Sequence, residues 1–136
     1  MLNFTGNLIW LLFGGLTAAG GMMAAGFTTC ATIIGIPFGI EQIRVGYAML
    51  TPFGREVLIE RETTRLEKVL NLAWFVLFGW ALVINHLFFG AILTLTVVGI
   101  PFARQHWKLT LFSAFPFGKK FGKPRRPAEY TDGPRD

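Results

Sequence analysis

The stretch "IIGIPFGIEQIRVGYAMLTPFGRE", residues 33–56, returns in altered form as "VVGIPFARQHWKLTLFSAFPFGKK", residues 97–120. Sliding the chain by 64 residues aligns 7–55 with 71–119 without a gap, and 13 of those 49 positions are identical. They are Asn7/Asn71, Leu8/Leu72, Trp10/Trp74, Gly15/Gly79, Gly26/Gly90, Thr32/Thr96, the Gly-Ile-Pro-Phe runs at 35–38 and 99–102, and Pro-Phe-Gly at 52–54 and 116–118. Arg44/Lys108 and Arg55/Lys119 keep their charge. Shared composition makes apolar stretches match by chance. It does not match an asparagine, a tryptophan and two spaced prolines, so one structural unit is used twice.

Working outward from the repeat, the chain has 136 residues, of which 52% are apolar and 15% charged. Residues 1–40 contain no Asp, Glu, Lys or Arg. Residues 69–103 contain none either, with His86 as the one group there able to ionise. A soluble domain of this size has too much surface for its volume to hide two such runs. Charge-free apolar runs above about 18 residues read as membrane segments. No Lys or Arg precedes the first run, which is also too long for the apolar core of a signal peptide, so it is expected to be retained. Cys30 is the single cysteine, sits inside that run, and reads as a small apolar residue with no intramolecular disulfide.

Each unit opens with Asn-Leu-x-Trp and an apolar run, then bends at Gly35 and Pro37, or at Gly99 and Pro101. Proline removes a donor and disfavours helix for the residue before it, and the glycine permits the bend. In lipid such a break needs cover from protein or contact with water, so tight packing or a cavity is expected around Pro37 and Pro101. A short amphipathic helix follows. Ile40, Ile43, Tyr47 and Leu50 oppose Glu41, Gln42 and Arg44; Trp107, Leu111 and Ala114 oppose Gln105, His106 and Lys108. It is expected in the headgroup plane, with a return across the bilayer as the alternative. The unit ends at Pro52 and Gly54, or Pro116 and Gly118.

Arg55, Arg61, Arg65 and Lys68 mark the segment between the repeats. Lys119, Lys120, Lys123, Arg125, Arg126 and Arg135 mark the tail. The positive-inside rule puts both in the cytoplasm, so each repeat crosses an even number of times and the copies run parallel. Two solutions fit: a hairpin folded near Gly20-Gly21 and at Ile84-Asn85-His86, or a long helix followed by a short returning one. The divisions expected are membrane repeats at 4–56 and 69–120, a charged cytoplasmic linker at 57–68, and a basic flexible tail at 121–136. The alternating charges of the linker suggest a solvated helix. The tail suits anionic lipid headgroups of the bilayer. Nucleic acid is not expected as a partner, because the basic run adjoins a membrane segment.

No phosphate loop, paired cysteines or metal-ligand spacing occurs, so no catalytic residue, cofactor or metal is expected. His106 and Ser113 form no recognisable nucleophile–base pair. The candidate pore or interface polar residues are Glu41, Arg44, Gln105, Lys108, Asn85 and His86. Polar groups at membrane depth are functional candidates by default, although Asn85 and His86 align with Gly21-Met22, where a turn is expected. Small residues crowd the first run (Gly14, Ala18, Gly21, Ala25) where the second has large ones, which favours close packing of one repeat on the other or between subunits.

The pattern Asn-x-x-Trp, then Ile-Gly-Ile-Pro-Phe-Gly, then a basic amphipathic stretch closing in Pro-Phe-Gly-Arg, twice per chain, resembles the bacterial YccF-like inner-membrane component domain family over about residues 4–120. The second copy departs from it at Ala103 and in the basic run "ARQHWK". The resemblance implies a small bacterial inner-membrane protein with paired domains and no established activity, and the even number of crossings per repeat makes it multi-pass. Together the readings give an all-α integral membrane protein of two parallel repeats. Its expected function is non-enzymatic: a homo-oligomeric channel or transport component for ions or small solutes. The alternative is an accessory or scaffold subunit of another membrane protein.

Overall fold

In a computed structural model that describes residues 2–59 and 61–123, each repeat is one long broken helix followed by a shorter helix folded back along it. The first comprises α1 (Leu2–Trp10), a π-helical segment (Leu11–Gly15), α2 (Leu16–Cys30) and the returning α3 (Ile36–Met49). The second comprises α4 (Arg65–Trp74), a π-helical segment (Phe75–Gly79), α5 (Trp80–Thr94) and the returning α6 (Ile100–Ala114). Gly20-Gly21 and Asn85-His86 therefore lie inside continuous helix. The hairpin is not formed there, because nothing in either stretch breaks the backbone ladder and both have packing partners on their neighbours.

The elbows are built by the residues that the two copies share. The hydroxyls of Thr32 and Thr96 donate to the carbonyls of Thr29 and Leu93, at 2.7 and 3.0 Å. A Cβ on Gly35 would lie 2.3 Å from the Thr29 carbonyl, and one on Gly99 would lie 2.3 Å from the Thr96 hydroxyl. Pro37 and Pro101 then sit in the first turn of α3 and α6, where the missing donor costs nothing. The shared Asn and Trp latch the far end. Trp10 Nε1 donates to the Met49 carbonyl at 2.8 Å, and Trp74 Nε1 to that of Ser113 at 2.9 Å. Asn7 and Asn71 accept from the backbone N–H of Phe53 and Phe117. Gly54 and Gly118, at φ 84° and 88°, close the turns that present those amides.

The two repeats pack antiparallel, not parallel. Gly14 meets Phe89, Thr17 bonds Asn85 and Gly21 meets Leu82, so the first helix ascends as the second descends. The ends agree: Phe38 at the first elbow packs edge-on against Phe117 at the close of the second repeat, while Phe102 packs likewise on Phe53. Exchanging the repeats maps each of these two contacts onto the other. The parallel expectation took the basic residues at 55–68 as one surface. In the structure that segment sets out from the closing turn of the first repeat and ends at α4, which starts beside the opposite end, next to the first elbow.

A two-stranded ribbon, absent from the all-α expectation, lies where the helical linker and free tail were expected. Strand β1 (Glu56–Leu58) pairs antiparallel with β2 (Lys120–Gly122), with Val57 opposite Phe121. Those two residues are themselves 64 apart, so the ribbon sits on the axis that exchanges the repeats. Beyond it, α4 begins with a capping box in which Thr64 and Glu67 satisfy each other's backbone amides, and Arg61 pairs with Glu67. The basic tail residues Arg125, Arg126 and Arg135 lie outside the described residues.

Candidate functional site at the crossing of the repeats

Where the long helices cross, the first is broken. Phe13 (φ −109°, ψ 52°) and Gly14 (φ 96°, ψ −10°) leave helical geometry, which turns their carbonyls out of the ladder. A positive φ favours glycine, and a Cβ on Gly14 would also lie 2.3 Å from the Phe89 ring. The freed carbonyls are satisfied by side chains of the second repeat. His106 Nε2 lies 2.8 Å from the Phe13 carbonyl. Asn85 Nδ2 donates to the Gly14 carbonyl at 3.2 Å, and the Thr17 hydroxyl, with its single hydrogen, lies 2.7 Å from Asn85 Oδ1 and 2.9 Å from that carbonyl, donating to one of the two.

Behind His106 runs a buried chain. His106 Nδ1 lies 3.0 Å from His86 Nδ1, and His86 Nε2 lies 3.0 Å from Ser113 Oγ. All three residues are 0% exposed. With both rings neutral, one proton arrangement satisfies every contact. A carbonyl can only accept, so His106 Nε2 carries its hydrogen. His106 Nδ1 then accepts from His86 Nδ1–H, and His86 Nε2 accepts from the Ser113 hydroxyl. Trp10 lies against the His106 ring with centroids 4.3 Å apart. The order serine, histidine, second histidine is that of an activated nucleophile. Complete burial keeps any substrate atom from the hydroxyl.

The expected site residues separate into three places. Asn85 and His86 join the crossing, with His106 and Ser113, two residues the sequence did not connect to them. Lys108 folds onto the Pro52 and Arg55 carbonyls beside the ribbon. Glu41 and Arg44 pair at 3.7 Å on the surface of α3, while Gln105 is half-buried with an unpartnered Oε1. Pro37, Pro116 and Gly118 line a cleft, while Gly35, Gly99, Pro101, Pro52 and Gly54 lie in the elbows and the first closing turn. The counterparts of Asn85, His86, His106 and Ser113 are Gly21, Met22, Gln42 and Met49, so the buried chain belongs to one repeat and serves the break in the other. That asymmetry was the available signal: four polar substitutions at aligned apolar, glycine or amide positions. Among the described residues no three His, Cys, Asp or Glu side chains gather as metal ligands.

These features define a mostly helical, twice-repeated protein with two helices, Phe4–Cys30 and Arg65–Thr94, long and apolar enough to cross a membrane. The chain belongs to the YccF family of inner membrane component domains, which matches it at residues 5–55 and 69–119, again 64 apart. It is 32% identical over 85 residues to the inner membrane protein YccF of Escherichia coli (strain K12), covering 62% of this chain and 53% of that one. The Shigella flexneri protein of the same name matches to the same extent. The chain thus spans about half the length of the curated relatives it matches. No solved structure matches.

Proposed function

We propose that the chain is a non-enzymatic, membrane-spanning subunit of a homo-oligomeric channel or transport assembly. Its two long helices would cross the inner membrane in opposite directions. The observation that carries this reading is the antiparallel crossing of two sequence-related apolar helices. Related helices inverted about an axis in the membrane plane are a recurring construction of transporters, which place their working site at the repeat interface near mid-depth. The end bearing Arg61, Arg65, Lys68 and Lys119 would face the cytoplasm.

The ribbon supports an assembly of several copies. Both it and the helix crossing lie on the exchange axis, so they share a level near the middle of the long helices. Among the described residues no third strand joins the ribbon, and Glu56 and Lys120 on it are exposed. Backbone of this kind is tolerated at membrane depth only against protein or water. Further copies would supply the protein, and a water-filled lumen between them would wet the charged ribbon. Because Ser113, His86 and His106 fill the crossing within one chain, a path between copies fits better than a path through one. The same filled interior suits an accessory subunit, which would co-purify with another membrane protein and carry no flux. Particle mass in nanodiscs, followed by ion flux from liposomes, tests the reading. A closed assembly of several chains with flux supports it, and a monomer without flux overturns it.

A further inference from the structure

In the second repeat the chain supplies its own ammonium. Lys108 Nζ donates to the Arg55 carbonyl at 2.7 Å and the Pro52 carbonyl at 3.3 Å, and lies 5.5 Å from the centre of the Phe121 ring. The repeat relates this place to one beside residues 116–119, and there the plug is missing. Arg44, the counterpart of Lys108, points outward with its side chain 75% exposed and pairs loosely with Glu41. What is left is a cleft of about 250 Å3 lined by Pro37, Glu41, Gln42, Glu67, Pro116 and Lys119. Gln42 is 1% exposed, yet its Oε1 has no hydrogen-bond partner. An orphaned buried oxygen of this kind costs about 1–3 kcal/mol.

We propose that this cleft binds a primary alkylammonium group, an external counterpart of the Lys108 side chain. Its three N–H donors match the Gln42 Oε1 and the carbonyls of Pro116 and Lys119, which correspond to those of Pro52 and Arg55 around Lys108. Glu41 supplies the opposing charge. Glu67 is already engaged by Arg61 and by the cap of α4, so its charge is compensated. Lys119, which lines the cleft, brings a like charge to its rim, so the ligand's other end is neutral or anionic. Phe38 and Phe117 also line the cleft and offer apolar surface to the alkyl stem. This site does not depend on whether the chain conducts.

Calorimetric titration of the full chain in detergent micelles with n-butylammonium tests it, with tetramethylammonium as a cation of similar charge that has no N–H donors. Saturable binding of one butylammonium per chain, and none of tetramethylammonium, is expected. Gln42→Met should weaken it at least tenfold. Arg44→Lys, at an exposed position that leaves folding intact, should abolish it by placing a lysine where Lys108 sits in the other repeat. Equal or non-saturable binding of both cations, or undiminished butylammonium binding by Arg44→Lys, would overturn the assignment.

Discussion

His106 Nε2 and the Phe13 carbonyl lie 2.8 Å apart across 93 residues of sequence, joining the return helix of one repeat to the break in the long helix of the other. The contact explains how an apolar helix keeps two non-helical residues at its middle without a buried orphan. It also makes the break depend on the second repeat, since the Phe13 carbonyl takes its described partner from His106, whereas Thr17 of the first repeat reaches only the Gly14 carbonyl.

Replacing His106 by leucine leaves the Phe13 carbonyl and the His86 N–H unpaired. A loss of about 1–3 kcal/mol for each orphaned group is expected, read as a lower unfolding midpoint in detergent. His106→Gln keeps a donor and should recover part of it. Equal stability of the leucine and glutamine variants would show that the bond is not what holds the break.

Gly14→Ala imposes two penalties at once, a positive φ and an overlap with the Phe89 ring. Strain and overpacking are each worth about 1–3 kcal/mol. Adding Phe89→Ala removes only the overlap, so the double variant should regain part of the loss, with the φ penalty persisting.

The two asparagine latches are unequal. Asn71 both donates to the Phe117 carbonyl, at 3.0 Å, and accepts from the Phe117 N–H, at 2.8 Å. Asn7 accepts from the Phe53 N–H alone among the bonds described, and at 3.3 Å. Asn71→Ala should therefore destabilise more than Asn7→Ala, by about 1 kcal/mol for the additional bond. Paired chemical unfolding curves measure the difference.

Inversion has a direct readout. Ile33 and Val97, at the two elbows, are 85% and 84% exposed. In a Cys30→Ala background, Ile33→Cys and Val97→Cys should react with a membrane-impermeant maleimide from opposite faces of the membrane. Labelling of both from one face would restore the parallel arrangement.

Much of the architecture was legible from residues that the two copies share. The unit boundaries, the Gly-Ile-Pro-Phe elbow and the closing Pro-Phe-Gly turn are backbone devices, and their requirement for Gly, Pro and Thr shows in sequence. The direction of packing was not. A run such as 69–103 is apolar whichever way it points, and the basic residues used to orient it belong to a segment that passes from one end of the molecule to the other. Asn85 and His86 read as a turn in sequence because polar residues in an apolar run, aligned with Gly21-Met22, look like an exit to water. The crossing brings Gly14 to Asn85, and the fold-back of α6 on α5 brings His106 and Ser113 to His86. Local propensity reports neither the bond between repeats nor the bonds between a helix and the one that returns along it.

The exchange axis through Val57 and Phe121 has a consequence for ancestry. On the proposed orientation, a chain of one repeat would have needed to enter the membrane both ways round, each copy meeting an inverted twin to form the same crossing. Joining two copies by residues 56–64 makes that pairing obligatory and frees the halves from being identical. Only after such a fusion can one half keep Gly14 and the other acquire His106, or one half seal its cleft with Lys108 and the other leave it open. The differences between the repeats therefore mark what a symmetric pair could not do.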